Sequence, residues 1–192
     1  MAEEATQITG AGAVAFDFSG HGQSTGRLSQ SSLHKRVDEA ETVWSLLARD
    51  RPIGLFGFSM GGHIALELLA RHPVVSLVLL YPGIYTHQAY DAPFDRRFTT
   101  MIQQSGSWHQ AAVLKALRDF TGRLLIVYGS NDRVVPRGVV DEIYAAASQA
   151  VQRELWVIPE APHLLLPFML ERPDLWRQLK LKLTDCLTTV KE

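Results

Sequence analysis

The sequence has little of what builds disulfide-stapled, cysteine–zinc or membrane-spanning proteins. Cys186 is the only cysteine, which excludes an intramolecular disulfide and any cysteine-based zinc cluster. Its leucine neighbours predict a buried core thiol. No apolar run approaches the roughly 18 residues that a membrane span needs. The start of the chain, residues 1–5, is acidic and does not resemble a signal peptide, so we expect a cytoplasmic protein without a membrane span.

Excess charge of one sign is also missing. The formal net charge is −1 and 20% of the residues are charged, with both signs mixed along the chain. This balance does not favour nucleic acid as a partner. With 192 residues, 46% of them hydrophobic, the chain can bury a substantial core. We therefore expect one domain over residues 1–192.

Short apolar runs alternate with helical patterns along the chain. The apolar runs predict five strands, at 13–18, 52–58, 74–81, 124–128 and 154–158. Helical patterns occupy 33–48, 61–71, 139–147 and most of 164–187, with an interruption at Pro173. Continuous apolar strands separated by helices predict an α/β domain whose mainly parallel sheet is buried between helices on both faces.

Residues 83–121 break this alternation, because they contain no clear strand. An insertion of this length usually forms a small lid or the wall of a pocket. The alternative is an ordinary crossover helix with a long approach. The aromatic candidates for an apolar acyl pocket in this segment are Tyr85, Phe94, Phe98 and Trp108.

The candidate nucleophile is Ser59, because the segment from Gly57 to Gly61 matches G-x-S-x-G. The pattern is weak alone, but here it lies between a predicted strand and a predicted helix, as a nucleophile elbow requires. A sharp turn at this point pushes the hydroxyl out of the sheet edge. The backbone N–H of Met60, at the start of the helix, can then stabilise an oxyanion.

A serine hydroxyl needs a base before it becomes a good nucleophile. The chain has seven histidines, and His163 directly follows the last predicted strand. Asp132 follows the strand before it, so both lie at the carboxyl edge of the sheet with Ser59. The order Ser, Asp, His along the chain is that of the hydrolases. These positions predict His163 as base and Asp132 as the acid that orients it.

The remaining histidines are interpreted as structural or exposed. His21 belongs to a loop that Asp17 is expected to tie down, and His63 occupies a packing position on the helix after Ser59. The other four have no acidic partner that the sequence identifies, and they are expected at the surface: His34, His72, His87 and His109.

Three segments together resemble the serine-nucleophile α/β-hydrolases of the carboxylesterase, thioesterase and serine aminopeptidase type. The loop at 17–24 resembles their D-x-x-G-x-G-x-S loop, and 57–62 resembles their elbow. Gly129 to Asp132, with Pro162-His163, resembles their acid and base loops. The resemblance covers nearly the whole chain, and it implies the α/β-hydrolase fold and a Ser-His-Asp triad that needs no metal or other cofactor.

The resemblance implies hydrolysis of a small-molecule carboxylic ester or thioester (EC 3.1) through an acyl-enzyme intermediate. Amidase and peptidase activity remain variants of the same chemistry. The alternative is a catalytically weak or inactive domain that binds a small apolar ligand or a partner chain.

The family pattern also predicts that strands found in its members are missing from this chain. Two or three strands precede the one at 13–18 in the family, and the loop after the last of them donates the second oxyanion N–H. The chain is therefore expected to be N-terminally short, as a truncated hydrolase or a compact variant. One absent strand would separate 13–18 from 52–58, so we expect these two strands to pair directly or an edge to recruit another chain. The second case predicts a homodimer, with catalysis weakened by the single donor Met60.

Overall fold

The computed structural model describes residues 2–10, 12–47, 51–109 and 111–188. At its centre is a four-stranded sheet in which the strands follow one another in chain order and each pair is parallel. The strands are β1, Gly54–Phe58; β2, Ser76–Leu80; β3, Arg123–Gly129; and β4, Gln152–Ile158. The predicted α/β class with a mainly parallel sheet is therefore confirmed.

Helices connect the strands and cover both faces of the sheet. They are α1, Ala2–Thr9; α2, Leu33–Leu47; α3, Met60–Leu69; α4, Arg96–Ile102; α5, Val113–Arg118; α6, Arg137–Ala146; α7, Leu165–Leu170; and α8, Pro173–Leu187. The interruption predicted at Pro173 is real, because α8 begins at this residue, where proline suits the first helical turn. In the part of the chain that the structure describes, no helix is long and apolar enough to cross a membrane.

Successive side chains of β2 lie in two different cores. Leu77 and Leu79 pack with α3, α5 and α6, whereas Val78 and Leu80 pack with α7 and α8. All four are fully buried, which is why the strand is a continuous apolar run rather than an alternating one. Cys186 of α8 lies in the second core, as predicted. Burial raises the pKa of its thiol to about 11.

The strand predicted at 13–18 is wrong. Residues 12–18 form no strand, and Val14 and Phe16 are 63% and 39% exposed. A strand needs a neighbour for its backbone groups, and the described sheet ends at β1, without these residues. The predicted role of Asp17 is confirmed, because its Oδ2 accepts a hydrogen bond from Gln23 N at 3.1 Å.

One side of β1 therefore has no strand beside it among the described residues. Val75 N donates to Ile53 O at 3.0 Å, and Ser59 N donates to Leu80 O at 3.1 Å. Backbone groups of odd-numbered residues thus face β2, and alternation along the strand turns those of even-numbered residues the other way. The even-numbered residues of β1 are Gly54, Phe56 and Phe58.

Residues 83–121 contain no strand in their described part, as predicted. They form a 3-10 turn at His87–Ala89, followed by α4 and α5. The first half of the segment packs against α2 and α3, and α5 packs against α3 and α6. The segment therefore covers the helix that follows Ser59.

Candidate active site

Ser59 alone makes the turn between β1 and α3. Its backbone is strained, with φ 49° and ψ −117°, a conformation that costs about 1–3 kcal/mol for a residue with a Cβ. Three hydrogen bonds hold it there. Ser59 N donates to Leu80 O at 3.1 Å, and Ser59 O accepts from Gly62 N at 2.9 Å and Gly83 N at 3.0 Å.

Two glycines let the chain pass closely around this turn. A Cβ on Gly57 would lie 2.6 Å from Gly62 Cα, and a Cβ on Gly62 would lie 2.7 Å from Pro82 Cβ. Both distances are too short for non-bonded carbons, so a larger residue would displace the strand or the helix. Gly61 has no such contact within 4 Å.

The side chains of Ser59, His163 and Asp132 form one hydrogen-bonded line. His163 Nε2 lies 3.1 Å from Ser59 Oγ, and His163 Nδ1 lies 2.8 Å from Asp132 Oδ2. The Asp132 side chain is 0% exposed, and that of His163 is 16% exposed. The structure thus brings together three side chains that lie far apart in sequence.

The second carboxylate oxygen of Asp132 accepts two backbone hydrogen bonds. Its Oδ1 accepts from Val134 N at 2.8 Å and from Val135 N at 2.9 Å. With His163 Nδ1, three groups therefore hold this buried carboxyl group in one orientation. The loop is tied to the one that carries His163, because Asn131 N donates to Ala161 O at 3.0 Å. This hydrogen bond between the two loops helps to fix the distance between the Asp132 carboxyl group and the His163 imidazole.

Tyr81 completes the surroundings of the imidazole. It directly follows β2, has a positive φ of 42°, and is anchored by its N–H, which donates to Val127 O at 2.8 Å. Its ring meets the ring of His163 edge to face, with 4.7 Å between centroids. Burial, followed by the charge of Asp132, raises the pKa of Tyr81. No pattern in the sequence indicates this residue, because the strain and the ring contact exist only in the folded chain.

The backbone N–H of Met60 is the first of α3, and the first N–H groups of a helix have no intrahelical acceptor. Five N–H groups of the loop after Asp17 are already bonded within the protein, to Glu39, Thr25, Phe18, Asp17 and His21, at these residues: Ser19, Gly20, His21, Gln23 and Ser24.

The four candidate pocket residues do not lie together. Tyr85, Phe94 and Phe98 share one cluster with Met60, and the Phe94 and Phe98 rings are 4.8 Å apart between centroids. Trp108 packs instead against the core formed by α3, α5 and α6. Three of the four therefore belong to the cluster that includes the residue next to Ser59, and Trp108 does not belong to that group.

Three histidines without an evident acidic partner in the sequence do have one. His34 Nδ1 lies 2.9 Å from Asp91, His72 Nε2 lies 2.6 Å from Glu41, and His109 contacts Glu142. These partners could not be identified from the sequence because they lie at least thirty residues away along the chain. The surface position expected for the four histidines holds for His34, His87 and His109, which are exposed, whereas His72 is half-buried. The packing position predicted for His63 is confirmed, since its side chain is fully buried. In the described ranges, no group of three His, Cys, Asp or Glu side chains could hold a metal ion.

Solved structures with the same fold are numerous. A putative hydrolase from Agrobacterium vitis S4 has a TM-score of 0.67 at 21% identity, over 97% of this chain and 80% of its own. A monoacylglycerol lipase from Paleococcus ferrophilus also has a TM-score of 0.67, at 16% identity, over 95% and 88%. An esterase from Pyrococcus furiosus has a TM-score of 0.61 at 24% identity, over 91% and 70%. At these identities the likeness establishes the α/β-hydrolase fold.

The sequence itself gives the family. No curated protein matches the chain. A family profile described as "Serine aminopeptidase, S33" matches residues 4–111, which make up more than half of this chain. This stretch holds the Asp17 loop, the turn at Ser59 and the strand that ends before Tyr81. The chain therefore belongs to the S33 serine aminopeptidase family of α/β-hydrolases.

Proposed function

We propose that the protein is a serine hydrolase that cleaves a carboxylic ester or thioester through an acyl-enzyme intermediate. The line of hydrogen bonds from Ser59 through His163 to Asp132, at a strained turn, carries this proposal. A base bonded to the hydroxyl, and an acid bonded to the base, are what a nucleophilic serine needs. Membership of a hydrolase family supports the same reading.

In the proposed mechanism each group has one task. Ser59 Oγ attacks the carbonyl carbon while His163 Nε2 takes its proton, and the carbonyl oxygen becomes an oxyanion beside Met60 N–H. Collapse of the intermediate expels the alcohol or thiol, which receives the proton from His163. Water then attacks the acyl-enzyme with His163 again as base, and Asp132 holds the imidazole in the required tautomer throughout.

Met60 N–H is the oxyanion donor in this proposal, since five N–H groups of the loop at 19–24 are bonded within the protein. Loss of one donor typically costs about 100- to 1,000-fold in rate. A second candidate function follows from this observation: a weak or inactive hydrolase-like domain that binds a small apolar ligand or a partner chain.

Esters are favoured over amides because their leaving groups need less help. With one oxyanion donor, the tetrahedral intermediate is less stabilised. The resulting decrease in rate matters most for amide hydrolysis, which is the more difficult of the two reactions. An esterase and a monoacylglycerol lipase among the similar folds support the same class. Amidase or peptidase activity remains the variant within the proposed mechanism.

Covalent labelling separates the two candidate functions. A fluorophosphonate should add its mass to the peptide that carries Ser59, and a short-chain nitrophenyl ester should be turned over. Digestion and mass spectrometry locate the adduct. Absence of both labelling and turnover would leave the binding domain as the better reading.

The aromatic cluster beside Met60 is proposed to be the acyl pocket. Phe94→Ala should change the preferred acyl length of nitrophenyl esters, because it removes a half-buried ring from the cluster that includes Met60. Labelling by a small phosphonate should stay within about twofold, since the reacting atoms are untouched. Phe168→Ala, on α7 at the other face of the sheet, is the control. An equal effect of both variants would contradict the pocket.

The open side of β1 supports association into a homodimer. Exposed strand edges pair readily with other strands, and β1 has neither charge nor proline to prevent it. Light scattering should give about twice the chain mass of 21.4 kDa. A mass of one chain, unchanged with rising concentration, would contradict this prediction.

A further inference from the structure

A buried polar network joins α3 to the segment after β2. His63 and Glu67 lie one turn apart on α3, and both are buried. Each contacts the hydroxyl of Tyr90: Tyr90 donates to Glu67 Oε1, and His63 Nε2 lies 2.9 Å from the Tyr90 oxygen. Glu67 Oε2 accepts from Arg71 Nη2 at 3.1 Å. One hydroxyl therefore links two buried groups of the helix that begins after Ser59.

The directions of these hydrogen bonds follow from proton counting. Tyr90 has one hydroxyl proton, and Glu67, paired with Arg71, is an acceptor only. Since the Tyr90 proton goes to Glu67, His63 must donate its own proton from Nε2 to the Tyr90 oxygen. His63 is then neutral, with an unprotonated Nδ1 that is buried and has no hydrogen-bond partner among the described residues. Burial lowers the pKa of His63 to about 3.

Further hydrogen bonds hold the same segment to α2, to the residues just before α2 and to the turn at Ser59. Gly83 N donates to Ser59 O at 3.0 Å, His34 N donates to Tyr90 O at 3.0 Å, and Phe94 N donates to Ser31 O at 3.0 Å. The hydroxyl of Tyr90 connects this segment to the buried side of α3. Residues 83–102 are here called the anchored segment.

The anchored segment carries three aromatic side chains of the cluster that includes Met60. Tyr85, Phe94 and Phe98 all belong to it and pack with Met60 in one cluster. Tyr85 also packs edge to face on His63, with 5.2 Å between ring centroids. The position of this aromatic wall relative to Ser59 therefore depends on how the anchored segment is fixed to α3.

We propose that Tyr90 is a positioning residue whose hydroxyl fixes the anchored segment against α3 and thereby sets which acyl groups reach Ser59. This proposal rests on the proposed hydrolase function. Tyr90 touches neither the reacting atoms nor the oxyanion. It acts through the wall formed by Tyr85, Phe94 and Phe98.

The variant Tyr90→Phe tests the hydroxyl while keeping the ring, which packs on His63 and stacks on His87. It leaves the Glu67 carboxylate and the His63 N–H without their shared partner. Hydrogen bonds to charged groups are strong, so losing this one should loosen the segment. Backbone amide hydrogen exchange in residues 86–102 should therefore become about tenfold faster. KM for a long-chain nitrophenyl ester should rise about tenfold, with kcat and phosphonate labelling of Ser59 within about twofold.

The control is Tyr144→Phe, which removes a hydroxyl from a half-buried tyrosine on α6 and should change none of these quantities. A second variant, Glu67→Gln, keeps an oxygen that can accept from Tyr90 and should give smaller changes than Tyr90→Phe. It covers the case in which Tyr90→Phe fails to fold. Nitrogen chemical shifts of His63 should show the proton on Nε2 in the wild-type protein.

Three results would overturn the proposal: unchanged exchange in residues 86–102, an unchanged acyl-length preference, or a wild-type His63 protonated on Nδ1. The last would mean that Tyr90 donates to His63 rather than to Glu67. Failure of the hydrolase function has a different signature, because the wild-type protein would then show no labelling at Ser59.

Discussion

Replacing Ser59 with alanine should lower kcat/KM for a nitrophenyl ester by about 10⁵- to 10⁶-fold, as removal of a triad serine does elsewhere. Alanine has no oxygen to attack the carbonyl, and His163 Nε2, now 3.1 Å from Ser59 Oγ, would have no proton to accept. Phosphonate labelling should disappear at the same time. Initial rates and intact-mass spectra measure the two effects.

The loss should not come from unfolding. Alanine keeps the Cβ, so the strain at φ 49° and the three backbone hydrogen bonds of residue 59 are the same in the variant. Thermal unfolding should therefore shift by only a few degrees. Ser45→Ala, on the exposed side of α2, is the control and should keep full activity. Substantial turnover by the Ser59 variant would mean that another nucleophile does the chemistry.

The order of strands and helices could be predicted because strands that are buried on both faces are continuous apolar runs in the sequence. The apolar run at 74–81 contains β2, and all five residues of this strand are buried. The helix predicted at 33–48 appears as Leu33–Leu47, because its apolar stripe faces α3. Such patterns record contacts of each element with the core, which every element must make.

The run at 13–18 shows where this reasoning fails. Its apolar residues resemble those of β1, yet Val14 is 63% exposed and the segment joins no sheet. An apolar run shows that a segment could be a strand, but pairing depends on a neighbour elsewhere in the chain. The sequence of the segment contains no information about whether that neighbour is there.

The candidate site divides in the same way. Ser59, Asp132 and His163 were found because each follows a predicted strand, and parallel strands end at one edge of the sheet. Tyr81 and Tyr90 were not found. Tyr81 acts through a ring contact, and Tyr90 through a hydroxyl that meets His63 and Glu67 on another element. Contacts of this kind have no local pattern.

Replacing Asp132 with asparagine should lower kcat by about 10⁴-fold while leaving the fold intact, the size that a wrong imidazole tautomer gives in a triad hydrolase. The direction follows from the bonds of this carboxyl group. Val134 N and Val135 N both donate to Oδ1, so the amide oxygen of asparagine must take that place. The amide nitrogen is then left at the position of Oδ2, which lies 2.8 Å from His163 Nδ1.

An amide nitrogen can only donate, so Nδ1 of His163 must become the acceptor and its proton must move to Nε2. Nε2 then points an N–H at Ser59 Oγ and cannot accept the serine proton. Kinetics with a nitrophenyl ester measure the loss, and nitrogen chemical shifts of His163 should show the proton on Nε2 in the variant and on Nδ1 in the wild-type protein. Asp141→Asn, an exposed acid of α6 paired with Arg137, is the matched control and should be fully active. Wild-type activity in the Asp132 variant, with the proton still on Nδ1, would mean that Asp132 does not set the tautomer and that the hydrogen-bonded line ends at His163.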